Sequence, residues 1–252
     1  PTERVRGALR TDHYFHAIHY PTAFHINPLN YALGLAADAV RHGARIFEGT
    51  PAVEIDPTGL RKRIATPQGR VRADHIVLAG NAHLGALAPG IAATLMPVAT
   101  YVAVTEPVGP QLHDAIAYSG AVSDSRFADH HYRIVGGDRL MWAGGISTAP
   151  RDLRRVAAGF KTAIARLYPQ IGPVEIANAW SGILGLSVHR MPQIGALAPG
   201  LWLASAFGGH GLNTTAMAGE LIAGAIVDGD DRWRLFSPFE LVWAGGWVGR
   251  AV

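Results

Sequence analysis

The sequence predicts a mixed α/β fold in which an antiparallel sheet unit is inserted into an incomplete domain built on parallel strands. Two stretches predict the parallel part: the apolar run 74–79, and the strand, glycine turn and helix of residues 201–223. Apolar runs of this length are typical of strands that are buried on both faces. The third observation is the alternation of apolar and polar residues that begins at Met96, which is typical of a sheet with two unlike faces.

Composition excludes several classes of protein. Only 16% of the 252 residues are charged, below the usual quarter, while 49% are hydrophobic, which favours a large core, a large ligand or a missing partner. The 22 basic residues are dispersed among 19 acidic ones without a basic, aromatic stripe, so no nucleic-acid partner is expected. The absence of cysteine excludes disulfides and thiol nucleophiles and is consistent with the cytoplasm. Since no apolar run approaches ~20 residues, no membrane partner is expected.

We assign residues 1–95 to one part of a nucleotide-binding domain. Asn27 and Pro28 predict the N-cap and first residue of a helix that ends at His42 and Gly43. A strand over 44–55, a hairpin around 67–69 and the strand 74–79 follow. This order is typical of half of a nucleotide-binding α/β domain. The usual opening of such a domain, a strand, a Gly-x-Gly-x-x-Gly turn and a helix, is absent upstream of Asn27.

We assign residues 96–180 to a substrate domain of antiparallel strands and one helix. Alternation predicts strands over 121–127, 131–136 and 139–145, and an apolar face predicts a helix over 152–168. Residues 181–252 return to the nucleotide-binding domain and carry its last glycine turn and helix.

Twelve histidines raise the question of a metal site. His13, His16 and His19 are three residues apart, which on a helix could place them on one side. The aromatic residues around them and Pro21 favour extended backbone instead, where this spacing alternates faces. We therefore predict no metal site.

The glycine turn before the last helix is the first candidate ligand site. It contains Gly208, Gly209, His210 and Gly211, and a side chain of Asn213, Thr214 or Thr215 is expected to cap the helix. Glycines permit positive φ and close approach of a ligand to the backbone. A helix N-terminus favours an anionic or electron-rich ligand group. The alternative is that the turn serves packing alone.

No self-contained hydrolytic motif is present. The sequence contains no Gly-x-Ser-x-Gly, no phosphate-binding Gly-x-x-x-x-Gly-Lys-[Ser/Thr] and no His-Glu-x-x-His. Glycine turns without in-built chemistry indicate that a bound cofactor supplies the chemistry.

Three blocks resemble the FAD-dependent amine oxidoreductases of the D-amino acid oxidase, glycine oxidase and sarcosine oxidase superfamily. They are 25–55 (His-Ile-Asn-Pro-Leu-Asn-Tyr-Ala-Leu onward), 73–82 (Ala-Asp-His-Ile-Val-Leu-Ala-Gly-Asn-Ala) and 180–211 (Trp-Ser-Gly, Arg-Met-Pro-Gln-Ile-Gly, Phe-Gly-Gly-His-Gly). The residues of these motifs are most similar to those of the γ-glutamylputrescine oxidoreductase-like branch. The resemblance covers nearly the whole chain and implies a flavoprotein oxidoreductase with an incomplete FAD-binding Rossmann-like domain.

The resemblance implies a role for each block. The backbone of Val53 would contact the adenine end of FAD. Residues near the dinucleotide and the flavin ring would be Ala79, Gly80, Asn81, Gly182, Gly208, Gly209, His210, Gly211, Leu212, Asn213 and Thr214. The turn would present N–H groups to the electron-rich edge of the flavin. Without cysteine, FAD cannot be attached through sulfur.

The implied reaction is oxidation of an amine C–N bond to an imine, with electrons passed to oxygen to give hydrogen peroxide. His25, Tyr101 and Tyr132 are the candidates for catalysis on the substrate side, and His210 is a further candidate there. Each can instead be a packed aromatic residue or a structural histidine.

Two departures from the family pattern carry information. Members that oxidise amino acids have an arginine shortly after the Trp-x-Gly motif, whereas Leu184 lies there in this chain, which favours an amine over a free α-amino acid. The missing Gly-x-Gly-x-x-Gly unit predicts that an N-terminal segment or a second chain completes the FAD site. A non-catalytic scaffold subunit without FAD is the alternative, and a nicotinamide dehydrogenase is a third hypothesis that lacks a complete Rossmann unit.

Overall fold

The computed structural model describes residues 1–126, 130–237 and 239–246. These residues form two compact units. The first unit contains Pro1–Ile26 and Ala99–Gly182, and the second contains Asn27–Val98 and Ile183–Val252. From the sequence we assigned residues 1–26 to the nucleotide-binding part. In the structure they belong to the first unit, because Leu9 is buried in its core and forms an antiparallel β-bridge with Ile116.

The first unit is a five-stranded sheet with helices packed on one face. Its strands are β5 (Met96–Thr105), β6 (Val122–Ser123), β7 (His131–Val135), β8 (Arg139–Ser147) and β9 (Ile176–Leu186), and its helices are α1 (Thr2–Ala8), α4 (Gln111–Ala115) and α5 (Leu153–Leu167). The strands lie in the order β6-β7-β8-β5-β9. Antiparallel strands and the α5 helix are confirmed, although the sheet strand that begins at Val122 is shorter than expected and Phe127 lies outside the described residues.

Register divides the sheet of the first unit into two faces. Tyr132 lies opposite Trp142, which lies opposite Ala103, and all three are fully buried. On α5, Phe160, Ile164 and Leu167 are buried in the same core. The next residue along each strand points to the opposite face because side chains alternate.

The α5 helix begins as the sequence predicts. The side chain of Asp152 accepts a hydrogen bond from Arg154 N at 2.8 Å, an N-cap contact that stabilises the first turn. An apolar stripe along the helix then packs onto the sheet.

The second unit contains two three-stranded sheets. One is a meander of β1 (Glu54–Asp56), β2 (Lys62–Thr66) and β3 (Gly69–Ala73). The other has the order β10-β11-β4, where β4 is Ile76–Leu78, β10 is Gln193–Ala198 and β11 is Leu201–Ser205. The predicted hairpin is confirmed, but the predicted strand over 44–55 is reduced to β1, since residues 44–50 make no ladder.

The helices of the second unit are α2 (Pro28–Arg41), α3 (Pro89–Ala92) and α6 (Gly211–Val227). Ala218 and Ile222 of α6 pack on Ile194, Trp202 and Ala204 of the β10-β11-β4 sheet. The other face of that sheet packs on Leu84 and on Ile55 and Ile64 of the meander. The sheet is therefore covered on both faces, as its apolar strands predict.

The α2 helix confirms its predicted ends but not a buried face. The Asn27 side chain accepts from Asn30 N at 3.1 Å, and Pro28 is the first helical residue. None of its residues is buried, and Leu29 and Leu33 are 65% and 59% exposed. An amphipathic helix usually gains its stability from a covered apolar face, which the described residues of this chain do not provide.

Candidate functional site

The carboxyl ends of two parallel strands meet at one edge of the second unit. β4 and β11 pair in parallel, with Ile76 opposite Leu201 and Leu78 opposite Leu203. The predicted parallel arrangement of residues 74–79 is thus confirmed. In open α/β sheets, ligands bind outside the carboxyl ends of the strands, where the loops leave room for them.

Asn81 connects these two strand ends. Its Oδ1 accepts the backbone N–H of Ala206 at 3.1 Å and the hydroxyl of Ser205 at 3.3 Å. Asn81 and Ala206 both have positive φ, 48° and 60° respectively. Left-handed backbone is unfavourable for residues with a Cβ, although Asn tolerates it better than most, and such strain is concentrated at functional sites.

Two glycines leave space for this arrangement. A Cβ added to Gly185 would overlap Asn81 Oδ1. Gly208 has φ +55°, and a Cβ there would lie 3.0 Å from Leu186 Cδ2. The polypeptide therefore approaches Asn81 and the last turn more closely than any other residue type would permit.

The last turn leads directly into α6 without a side-chain cap. Residues Gly208–His210 form a 3₁₀ turn, and His210 precedes the first helical residue, Gly211. The expected cap from Asn213, Thr214 or Thr215 is wrong. The hydroxyls of Thr214 and Thr215 instead donate to carbonyls one turn back, those of His210 (2.6 Å) and Gly211 (2.5 Å).

This geometry fits an electron-rich ligand group. Since no side chain caps the helix, its first N–H groups remain available to a ligand oxygen, and the dipole of a 17-residue helix adds partial positive charge. Gly209, His210, Leu212 and Asn213 are exposed, so a ligand can reach them.

A cavity of about 610 Å³ brings three of the predicted cofactor residues together. Val53, Ala79 and Gly80 line it, with Ile76 and Leu84 among its apolar neighbours. Val53 N already donates to Ala65 O at 2.9 Å, which leaves the Val53 carbonyl for a backbone contact with a ligand. Asn81 and the turn 208–214 are not part of this cavity wall.

The substrate-side candidates lie in the first unit. Tyr132 is fully buried, and its hydroxyl forms a 2.7 Å hydrogen bond with the hydroxyl of Tyr168. Burial raises the pKa of Tyr132 far above its usual value. Its ring stacks on Trp142 with centroids 4.6 Å apart. His25 is exposed, and Gly182 is exposed at the end of the unit.

Tyr101 is buried but lines a second cavity of about 790 Å³. Its hydroxyl accepts Arg151 N–H at 2.9 Å and donates to Ser147 Oγ at 2.7 Å, since that serine donates its own proton to Ala149 O. Its catalytic role, like that of Tyr132 and His25, stays a prediction.

Sequence reasoning missed two polar residues on the face of this sheet opposite to the core that contains Tyr132. His131 and Arg133 are two positions apart on β7 and flank Tyr132. His131 Nδ1 hydrogen-bonds Ser123 Oγ at 2.6 Å, and burial together with the Arg133 charge lowers its pKa. The alternation of side chains along β7 could have predicted that both residues lie on one face of the sheet and Tyr132 on the other.

Two further features concern partners. Among the described ranges, no three His, Cys, Asp or Glu side chains converge as metal ligands would. No helix in the part of the chain that the structure describes has the length and apolar character needed to cross a membrane.

Comparison with protein-family models matches residues 2–225 to the FAD dependent oxidoreductase family (DAO). The chain belongs to this family. It is 32% identical over 236 residues to γ-glutamylputrescine oxidoreductase of Escherichia coli K12, covering 92% of this chain and 55% of that protein. It is 31% identical over 222 residues to a probable oxidoreductase OrdL of Rhizobium meliloti, covering 88% of this chain and 51% of the relative. The chain thus spans about half the length of these relatives.

Solved structures show the same fold. Glycine oxidase from Bacillus cereus superposes with a TM-score of 0.75 at 18% identity, covering 91% of this chain and 65% of that one. Glycine oxidase from Geobacillus kaustophilus gives 0.69 at 24% identity, covering 84% and 56%. The predicted mixed α/β class of this FAD-dependent family is confirmed.

Proposed function

We propose that this chain is the part of an FAD-dependent amine oxidoreductase that contacts the flavin ring and the substrate. The observation that carries the proposal is the uncapped N-terminus of α6 behind the Gly208 turn, beside the strand ends joined by Asn81. The family match and the relatives that act on an amine or an amino acid support the choice of reaction.

The proposed overall reaction is balanced. A primary amine with a hydrogen on the adjacent carbon reacts with oxygen and water to give an aldehyde, ammonia and hydrogen peroxide. FAD, when bound, supplies the two-electron acceptor that takes the hydride from this carbon. The imine product hydrolyses in water, so the chain need not supply a nucleophile.

Groups of this chain would bind the cofactor and stabilise negative charge on it. The N–H groups of the 208–214 turn would stabilise negative charge on a ligand oxygen, since the positive end of a helix dipole lies there. The backbone around Val53, Ala79, Gly80 and Asn81 would bind the dinucleotide. Without cysteine, the chain would hold FAD non-covalently or through a bond other than one to sulfur.

The substrate side needs no strong base from this chain. Removal of a hydride from a neutral amine leaves the proton on nitrogen to be lost to water. Tyr132 would remain protonated, because burial raises its pKa far beyond the working range. Its proposed contribution is therefore to shape the substrate unit, and any catalytic contact would require a rearranged core.

We also propose that a further segment or a second chain completes the FAD site. β4 is an edge strand whose Val77 is 42% exposed, and α2 has no buried residue. Unpaired apolar edges and faces favour association with another element. A βαβ unit with a Gly-x-Gly-x-x-Gly turn would both cover these surfaces and bind the pyrophosphate. We place the assembled enzyme in the cytoplasm.

The test combines flavin binding with turnover. Protein purified with FAD, alone and with a supplied Gly-x-Gly-x-x-Gly unit, is measured for visible flavin absorbance and then offered a panel of amines with peroxide detection. We expect bound flavin, and hydrogen peroxide formed in the same amount as the aldehyde. A sample that binds no FAD in either form would support the alternative of a non-catalytic scaffold. Bound flavin that is reduced by amines but forms no peroxide would identify a dehydrogenase rather than an oxidase.

A further inference from the structure

A cavity of about 790 Å³ lies beside α5, entirely within the first unit. Tyr101, Phe160 and Leu167 line it and also belong to the core between the sheet and α5, so the cavity lies on the helix-packed side of the sheet. Its volume is typical of small-molecule sites. Of the described residues that are proposed to contact FAD, none lines this cavity.

One face of α5 forms a wall of the cavity. Arg155, Gly159, Thr162 and Arg166 follow one another at spacings of four, three and four residues, so they share one face of the helix. All four are exposed. At a rise of about 1.5 Å per residue, the two arginines are roughly 16 Å apart along the helix axis. Cationic side chains therefore lie at both ends of this wall, with small residues between them.

The positive charge along this wall is not compensated within the described chain. Among the described residues, neither Arg155 nor Arg166 forms an ion pair or a side-chain hydrogen bond. Asp152 is the one carboxylate that lines the cavity in the described ranges, and its side chain is engaged as the N-cap of α5. Arg126, a further arginine of the wall, is paired with Asp124 at 2.6 Å. Arg155 and Arg166 are thus available to an anionic ligand.

The N-terminal end of α5 concentrates positive charge. Its first turn contains no acidic residue, while Arg154 and Arg155 follow soon after the cap and Arg151 precedes it. The helix dipole adds partial positive charge at the same end, which makes cations there unfavourable. A bound anion would relieve this repulsion, whereas a merely solvated helix face would be more stable with acidic residues in this turn.

A β-bulge holds Arg151 at this end of the cavity. The pairing of β5 with β8 shifts between Thr100 and Tyr101, which leaves Gly145 without a partner in β5. Gly145 lines the cavity with φ +67°, and a Cβ added to it would lie 3.8 Å from Arg151 Nη1. The guanidinium also donates from Nη2 to Ile146 O at 3.1 Å. Bulges often redirect side chains beside functional sites, and this one brings the backbone and a guanidinium together at the cavity wall.

Gly159 leaves the middle of the wall open to a ligand. Glycine inside a helix is less stable than alanine, and a Cβ added at this position would meet no atom within 4 Å. Packing within the described chain therefore does not require glycine here. The nearby side chains on the cavity wall, Val156, Phe160 and Ala163, are apolar. This part of the cavity suits an uncharged, apolar portion of a ligand.

We propose that this cavity binds an organic phosphate, with its charged group between Arg151 and Arg155 and its apolar part along Gly159. A phosphate suits this end better than a carboxylate, because it carries more negative charge and offers three acceptor oxygens to two guanidinium groups. The inference goes beyond the proposed function and does not depend on it, since the site requires neither FAD nor turnover.

Equilibrium binding tests the inference on the purified chain, first without FAD and then with FAD present. Phenyl phosphate is titrated calorimetrically, and inorganic phosphate, phenol and hexanoate are the comparison probes. We expect saturable binding of one phenyl phosphate. Inorganic phosphate and phenol should bind more weakly because each lacks one part of the ligand, and hexanoate should bind more weakly because it carries a single charge.

Three substitutions on α5 separate this site from a general charge effect. Arg155→Met should lower the affinity for phenyl phosphate ~10- to 150-fold, as for a hydrogen bond to a charged group of ~1.5–3 kcal/mol. Arg154→Met removes the same charge from the same helix end, but Arg154 does not line the cavity, so the affinity should be nearly unchanged. Arg166→Met should lose less affinity than Arg155→Met, because phenyl phosphate is too short to span the wall.

Gly159→Leu tests the cavity itself. A leucine would occupy the space in the middle of the wall, so most of the affinity for phenyl phosphate should be lost. The variant should melt at the same or a higher temperature, since leucine is a better helix former than glycine and its Cβ meets open space. Loss of binding without loss of stability cannot result from unfolding.

Absence of saturable phenyl phosphate binding would overturn the inference, as would unchanged affinity in Gly159→Leu. Equal losses in Arg154→Met and Arg155→Met, or a larger loss in Arg166→Met, would contradict the proposed position of the phosphate. Tighter binding of hexanoate, or displacement of phenyl phosphate by FAD, would also overturn the inference, because the cavity would then bind a carboxylate or the anion would occupy the cofactor site. Since the first titration contains no flavin, failure of FAD binding would count against the proposed function alone.

Discussion

The side-chain oxygen of Asn81 accepts the backbone N–H of Ala206 at 3.1 Å, which joins the ends of two parallel strands that are far apart in sequence. Both residues have left-handed backbone conformations. The contact therefore fixes two strained turns, the first after β4 and the second before Gly208, at the edge where the proposed cofactor would bind.

Replacement of Asn81 should weaken both the fold and the site. Asn81→Ala leaves the buried Ala206 N–H without its acceptor and puts a poor residue at φ +48°. We expect a loss of ~1–3 kcal/mol in the free energy of unfolding, measured by urea denaturation, and weaker FAD retention. Asn81→Asp keeps an acceptor and should lose less. Equal stability of Asn81→Ala and wild type would refute this role.

Gly185 should not tolerate a methyl group. A Cβ there would overlap Asn81 Oδ1, so Gly185→Ala is expected to displace the amide and lower stability by ~1–3 kcal/mol, as overpacking does. Gly219→Ala is the control, because Gly219 lies within α6 with open space around it. That substitution should be neutral or stabilise by ~0.5–1 kcal/mol. Equal melting temperatures for the two variants would argue against the close approach.

Tyr132→Phe should reduce stability without altering the pH profile of turnover. The substitution removes the 2.7 Å hydrogen bond to Tyr168 in the core, for a loss of ~0.5–1.5 kcal/mol in thermal or chemical denaturation. Because burial raises the pKa of Tyr132, this hydroxyl does not ionise at working pH. A basic limb of the kcat profile that vanishes in Tyr132→Phe would instead place this residue in catalysis.

The stability of the first unit should fall in mild acid through His131. Burial lowers the pKa of His131 in the folded chain, so below about pH 6.5 the unfolded chain binds the proton more readily than the folded chain does. The contribution is therefore present above the unfolded pKa and is lost as pH falls below it. His131→Gln should flatten the dependence of the unfolding free energy on pH below about 6.5. An unchanged slope would show that His131 is not its source.

Local signals in the sequence predicted much of the fold. The caps at Asn27 and Asp152 followed from residue type, and the parallel pairing of residues 74–79 followed from an unbroken apolar run. The predicted cap on α6 from Asn213, Thr214 or Thr215 was wrong. The two threonine hydroxyls bond carbonyls one turn back, as hydroxyls within a helix can, instead of an N–H group. The strand over 44–50 was wrong because β propensity requires a neighbouring strand to pair with.

The site was harder to predict because it depends on register. Tyr132 and Arg133 are adjacent in sequence but lie on opposite faces, and only the pairing with Trp142 and Met141 shows which face is covered. Likewise, no local pattern reveals that Asn81 meets Ala206 across 125 positions.

Flavin binding tests the central claim most directly. The purified chain, together with a Gly-x-Gly-x-x-Gly unit, is titrated with FAD and followed by visible absorbance and protein fluorescence. We predict saturable binding of one FAD, which Asn81→Ala weakens and Gly219→Ala does not. Absence of FAD binding, or binding that Asn81→Ala leaves unchanged, would contradict it.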